Sequence, residues 1–285
     1  MSEIWNGVAS GWEANAAYVD EQLASATKAM LDAARIDEGD AVLDLACGPG
    51  GAGLAAAERV GGSGKVLLSD SAPEMVAAAG RRASGRAQVS TAIFNQSEIA
   101  CADEEFDAVL VRHGLMFVED PVAAVAESTR VLRPGGSYAV MTWGPRAENP
   151  WLGLVLDAVG EQFGVQFPPA GVLGPFSLDD AAQLTSVMEA GGLEDVAVQV
   201  VATPMYAPSV QAWWERVPQL AGPLAIALNG MEPEVREAIA QRALDAGASA
   251  ARPAGDQIAF AGSVLVASGR RPRSRAPVDA AALAS

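Results

Sequence analysis

Residues 41–53 read AVLDLACGPGGAG. The first six are apolar except for Asp44, and the run then breaks at Gly48, Pro49, Gly50, Gly51 and Gly53. An apolar run that ends in a glycine turn before an Ala-rich helical stretch reads as a buried parallel strand feeding a helix, and GPGGAG matches the pattern GxGxxG. The next apolar run, KVLLSD (65–70), ends on a second acid, Asp70. That pairing suits a nucleotide-like ligand lying across the ends of two neighbouring strands. Its charge decides which one. Pro49 removes one amide donor from the loop, and Asp44 puts negative charge near the mouth, so a pyrophosphate is disfavoured and a cationic ligand favoured.

Working outward, further β-rich runs appear at QVSTAIF (88–94), FDAVLVRH (106–113) and SYAVMTW (137–143), with GLAAAERV, APEMVAAAGRRA and DPVAAVAESTRVL as helical stretches between runs. Strand and helix alternate, which predicts a doubly wound α/β sheet. Residues 20–35 (DEQLASATKAMLDAAR) predict a helix before it. Beyond Trp143 the spacing predicts a helix at 151–162, irregular chain through FGVQFPPAGVLGPF, a helix at 178–191, and strands at 196–206 and 257–269 around a helical segment at 208–250. The expected division is an N-terminal helical lid segment (1–35), a ligand-binding core (36–145), and a C-terminal part of the sheet (146–270) whose insert (208–250) shapes a second subsite. A disordered tail (271–285) completes it.

Lys and Arg number 19 against 35 Asp and Glu, a net charge of −16, which repels nucleic acid and acidic membranes. Cys47, Cys101 and the single histidine show no metal-site spacing, so no metal is expected and a reducing compartment is. The acidic N-terminus and the lack of long apolar runs predict a cytoplasmic protein without membrane insertion. A homodimer is one assembly open to it.

Residues 42–51 resemble the first motif of class I S-adenosylmethionine-dependent methyltransferases. KVLLSDSAPEMV resembles the second motif, FNQSEIACADEEFDAVLVRHGLMFVEDP the third and fourth, and RVLRPGGSYAVMTWGP the helix, turn and strand that follow. Within that superfamily the chain is most similar to the UbiE/COQ5-like (methyltransferase type 11) group, whose members methylate small molecules. The resemblance implies a mostly parallel seven-stranded Rossmann-like sheet with an antiparallel last strand and a helical insert, and S-adenosyl-L-methionine as cofactor. It implies that Asp44 anchors the methionine ammonium, that Gly48 and Gly50 let the backbone approach, and that Asp70 accepts from the ribose hydroxyls. Ser71 and Met75 then lie beside adenine, and Asn95 and Gln96 stand where the family has an acid and a small residue. Ala46 replaces a common glycine. Arg112, Trp12 and Tyr18 complete the cofactor set, the last two as part of the lid.

Each residue has a plainer reading. Asp44 and Asp70 could cap the helices that follow, Met75 could be core, and Cys47 could be small filler. His113, after the fourth strand, is the candidate catalytic base, or an aromatic wall. The acceptor site is expected outside the sheet core, among Trp5, Trp12, Trp143, Trp151, Phe163, Phe167, Phe176, Tyr206, Trp213 and Trp214, a lining suited to a flat or hydrophobic small molecule. Of the adjacent Trp213 and Trp214, one helix can bury only one well. The function expected is methyl transfer to an oxygen or carbon nucleophile of such a metabolite. The alternatives are a nicotinamide-dependent oxidoreductase and a non-methylating descendant of the fold.

Overall fold

The computed structural model describes residues 2–169 and 171–273. Helices α1 (Ser2–Ala14), α2 (Ala16–Gln22) and α3 (Ala24–Ala33) lead into β1 (Ala41–Leu45), α4 (Gly51–Val60), β2 (Lys65–Asp70), α5 (Pro73–Arg82), β3 (Val89–Ile93), β4 (Phe106–Arg112), α6 (Pro121–Val131) and β5 (Leu132–Trp143). There follow α7 (Pro150–Phe163), α8 (Ala181–Ala190), β6 (Glu194–Ala202), β7 (Met205–Ala207), α9 (Val210–Leu220), α10 (Gly222–Asn229), α11 (Pro233–Ala250), β8 (Arg252–Ala254), β9 (Gln257–Phe260) and β10 (Ser263–Arg270).

Seven strands form one sheet in the order β3-β2-β1-β4-β5-β10-β6. The first five pair in parallel, and β10 runs antiparallel to both β5 and β6. Alternation along β1 explains its near-continuous apolarity. Val42 packs in a layer with Met30 of α3, Ala56 of α4 and Leu68, while Leu43 and Leu45 pack on the opposite face with Val125 of α6 and Leu184 of α8. Both faces are covered, so Val42, Leu43, Asp44 and Leu45 of β1 are all buried.

Four expectations are corrected. The predicted 20–35 helix is two helices, α2 and α3, joined at Leu23, and the residues before it are helical as well. No helix separates β3 from β4; the chain from Phe94 to Glu105 is a loop. The predicted strands at 196–206 and 257–269 are each two strands in two different sheets. Both pieces change sheet at the same place, because Thr203 donates its amide to Gly262 O (2.8 Å) and a Cβ on Gly262 would lie 2.1 Å from Thr203 O. β7, β9 and β8 then form a small second sheet beside α7, α9 and α11. Strand periodicity was visible, but not the crossing that splits it. The predicted tail begins too early: Arg271 donates to Arg130 O and to Glu104, which fixes it to the sheet end. The rest of the predicted tail, 274–285, lies outside the described residues.

Candidate active site

The carboxyl ends of β1, β2, β4 and β5 open into one cavity of about 810 Å³. One wall is the glycine turn, with Ala46, Cys47, Gly48 and Pro49 on its surface. The turn needs unusual backbone: Gly48 and Gly50 have φ of +53° and +86°, and Ala46 sits at +50° without glycine's freedom. His113, at the end of the adjacent strand β4, has φ of +58°. Two non-glycine residues in the left-handed region, side by side at the ligand edge of the sheet, hold strain of roughly 1–3 kcal/mol each.

Asp70 fixes the turn from below. Its Oδ2 accepts from the Gly48 amide (3.0 Å) and its Oδ1 from the Ala72 amide (2.9 Å), so one carboxylate ties the glycine turn to the N-cap residue of α5 while lining the cavity. Burial pushes its pKa up, opposed by those backbone bonds. Ser71 and Met75 continue this wall, and Met75 also packs on Val8 and Ala9 of α1. Asn95 lines the cavity with Oδ1 accepting from Ser97 N, while Gln96 donates to Gly114 O (3.1 Å) and has no partner for Oε1 among the described residues.

Three sequence-predicted residues stay off the cavity wall. Asp44 is 0 % exposed beneath the turn: its Oδ2 accepts from Gly53 N of α4 (2.7 Å) and its Oδ1 has no partner among the described residues. Desolvation pushes its carboxyl up to about 7, with Arg112 pulling down and Asp70 and Asp20 pushing up. Gly50 caps α4 and serves close packing, since a Cβ there would meet Leu68 and Ala79. Tyr18 is a strut, donating to Tyr206 O (2.7 Å) with Arg216 stacked 3.8 Å over its ring. Trp12 does line the cavity, anchored by Nε1 to Leu220 O of α9 (2.9 Å).

Arg112 lines the cavity and pairs with Asp20 of α2 (3.0 Å), which also pairs with Arg82 of α5 (2.6 Å). No motif announced Asp20, one of two adjacent acids in a helix before the sheet. His113 stacks flat on Trp143, 3.9 Å between centroids at 17°, and Trp143 is braced edge-on by Trp151 at 4.9 Å. Both ring nitrogens are shut off from solvent and lack partners among the described residues. Burial and neighbouring Arg112 push the imidazole down to about 3. It is therefore neutral at ordinary pH and a poor proton acceptor, which favours the aromatic-wall reading over the base. As the only histidine in the chain, it should give one set of ring ¹⁵N resonances that does not move between pH 5 and 8. A midpoint near 6.5 would restore the base.

Much of the remaining lining is apolar, including Trp5, Trp143, Trp151, Phe167, Leu173 and Leu224. Phe163 and Tyr206 instead face solvent, Phe176 lies under Arg146, and Trp213 is buried in the core with Nε1 on Trp151 O while Trp214 is half-buried. The lining also includes Phe94, Phe117 and Gln22, which sequence reading passed over because they sit on a loop, a short turn and the polar side of a helix. Among the described residues no group of three His, Cys, Asp or Glu is placed to hold a metal, and no helix is long and apolar enough to cross a membrane.

A methyltransferase-domain family model matches residues 42–136. The chain is 32% identical over 172 residues to the ubiquinone/menaquinone biosynthesis C-methyltransferase UbiE of Cupriavidus necator, covering 57% of this chain and 71% of that one. It spans between 35% and 44% of the length of the first curated relatives it matches. Among solved structures it resembles a putative methyltransferase from Bacillus halodurans (TM-score 0.55, 17% identity, 87% of this chain and 99% of that one). It also resembles the [4+2]-cyclase SpnF (TM-score 0.54, 21% identity, 88% and 82%). Those two likenesses speak for the fold alone.

Proposed function

We propose that this chain, which belongs to the class I S-adenosylmethionine-dependent methyltransferases of the UbiE type, transfers a methyl group to an oxygen or carbon nucleophile of a small, hydrophobic or aromatic metabolite. The observation that carries this reading is one cavity with two chemically different ends. At one end stand the strained glycine turn and the Asp70 carboxylate; at the other, an aromatic wall.

The residues present fit S-adenosyl-L-methionine, the cofactor of that family. A Cβ on Gly48 would meet nothing within 4 Å, so the turn leaves room against its backbone, and Asp70 offers an anionic acceptor on the same wall. Asp70 would hold the ribose, Met75 and Ser71 the adenine face, Asn95 and Gln96 its edge, and Ala46 and Gly48 the methionine backbone. Arg112, with an ion pair already on Asp20, would face the carboxylate end. Asp44 would act through its field from beneath the turn rather than by contact. Bound there, the cofactor supplies a methyl group on a cationic sulfur for in-line displacement.

His113 and Trp143 would align the acceptor as a flat neutral wall, and the apolar lining would exclude water from the reacting atoms. A relative named as a ubiquinone/menaquinone biosynthesis C-methyltransferase supports a carbon nucleophile on an apolar ring. The helices α1 and α2, which bring Trp5, Trp12 and Val19 to the cavity, would act as its cover.

Calorimetry should give micromolar binding of S-adenosylmethionine and S-adenosylhomocysteine and none of NAD. Hydrogen exchange on the same samples should slow across residues 2–22 only when the nucleoside is bound. Tight NAD binding without the methionine cofactor would sink the reading, and equal exchange in both states would make α1 and α2 permanent wall.

A further inference from the structure

One part of the cavity wall, residues 167–169 and 172–175, is irregular chain after α7. The Arg146 side chain ties it to that helix. Arg146 donates from Nη1 to Phe167 O (3.1 Å) and from Nη2 to Gly153 O of α7 (3.4 Å), forms an ion pair with Asp157 of α7, and lies 5.9 Å over the Phe176 ring. Its own backbone amide is tied to Asp179 (3.1 Å). A guanidinium can make these contacts at once because its donors fork in a plane; a lysine ammonium cannot.

The stretch Val165–Phe167 is also a thin partition. Phe167 lines the 810 Å³ cavity on one side and a second, outer cavity of about 560 Å³ on the other, which is walled by Arg146, Asp157, Glu161 and Val165. The stretch crosses α7 in close contact, with Val165 N on Gly160 O (3.0 Å) and a Cβ on Gly160 reaching within 2.5 Å of Val165 O. Around it, Phe163, Val165 and Val172 are 53%, 57% and 56% exposed. Large apolar side chains held in water beside a partition into an apolar cavity form a landing for an apolar molecule.

We propose that residues 165–168 are the door by which the acceptor enters, and that Arg146 is the positioning residue that latches it shut against α7. This rests on the methyltransferase reading of the cavity. The nucleoside meets the glycine turn and Asp70, none of which Arg146 touches, so the latch governs only the acceptor. Closing the door restores the Phe167 wall and completes the dry enclosure in which displacement occurs.

The test uses the full chain saturated with S-adenosylhomocysteine and 2-naphthol as an apolar aromatic alcohol, with binding followed by stopped-flow quenching of the tryptophan fluorescence, to which the four cavity-lining tryptophans contribute. Two variants reach the door independently. Arg146→Ala removes the latch, and Gly160→Ala wedges the same stretch off α7. Both should speed association and dissociation of 2-naphthol about fivefold or more and raise exchange of the Val165 amide about tenfold. Arg146→Lys, which keeps the charge facing Asp157, should fall between wild type and Arg146→Ala. S-adenosylhomocysteine affinity should stay within twofold throughout. A merely structural role would lower nucleoside affinity and naphthol amplitude together without faster association, and that result overturns the proposal. So do unchanged naphthol rates in both variants, or no naphthol binding to wild type. Loss of nucleoside binding by the wild type itself would instead strike the methyltransferase reading.

Discussion

Asp70→Ala is expected to weaken S-adenosylhomocysteine binding about a hundredfold. The carboxylate ends β2 with each oxygen already accepting one backbone amide, from Gly48 and Ala72, which fixes the plane in which its remaining lone pairs face the cavity. Hydrogen bonds from two ribose hydroxyls to an ionised group contribute roughly 1.5–3 kcal/mol each net of competition with water, and the lower end of that range, about 3 kcal/mol for the pair, is about two decades of affinity. Asp70→Asn should lose nearly as much, because an amide nitrogen must then oppose either the Gly48 or the Ala72 N–H. The melting temperature of the unliganded protein should change little in either variant, since two backbone bonds are lost but a carboxylate destabilised by burial goes with them. Calorimetry and thermal melts separate the cases: full affinity in Asp70→Ala would return the residue to shaping the turn alone.

That Asp70 was legible in the sequence while Asp20 and Arg146 were not has a physical cause. Asp70 belongs to a local pattern, a strand, an acid and a helix start within ten residues, and local backbone geometry fixes where it points. The same holds for Gly48, Ser71 and Met75. The apolar part of the cavity is assembled from α1, β5, α7, residues 167–169 and 172–175, and α10, whose meeting depends on long-range packing with no shared spacing. Aromatic residues were therefore recognisable as a class but not individually: Trp143 and Trp151 face the cavity, whereas Trp213 turns into the α7–α9 core, and nothing in QAWWER distinguishes a core face from a cavity face. Gly50 failed differently. A glycine in a ligand-binding turn serves either approach of the ligand or approach of the next helix, and only the neighbours Leu68 and Ala79 decide which. The doubly wound α/β core was readable because strands and helices alternate, and the seven-stranded mixed sheet followed from the family resemblance, but the second sheet was not readable, because a strand that changes partner midway keeps its periodicity.

Asp44→Asn is expected to make the unliganded protein more stable at pH 8 and a weaker binder at the same time. Asp44 is wholly buried, has one amide partner for two oxygens, and has its carboxyl pushed up to about 7 by desolvation, against the pull of Arg112 and with Asp70 and Asp20 adding to the rise. The folded state thus holds this proton more tightly than the unfolded chain, where the group titrates near 4. By linkage, stability is greatest below the unfolded value and declines as pH rises from about 4 to about 7; above that, the buried charge costs on the order of 4 kcal/mol at full ionisation. A neutral amide escapes that cost and keeps an oxygen for Gly53 N, so variant and wild type should melt alike only at about pH 4 and below, and diverge progressively above it in the variant's favour, by several degrees at pH 8.

Cofactor binding has the opposite sign, because the ammonium of the methionine end favours the ionised carboxylate and drives the proton off. Affinity of the wild type for S-adenosylhomocysteine should therefore rise with pH, by up to about tenfold per unit, until it levels near 7. Asp44→Asn should bind about tenfold or more weakly at pH 8 and show a flatter profile, with only the smaller contribution of Asp70 remaining. A wild-type affinity independent of pH between 5.5 and 8, or a variant with the same slope, would mean that Asp44 serves α4 through Gly53 and exerts no field on the ligand. Retention of a costly buried acid then makes physical sense only in the first case, where the charge that destabilises the empty protein is the one that selects a cationic ligand over a pyrophosphate.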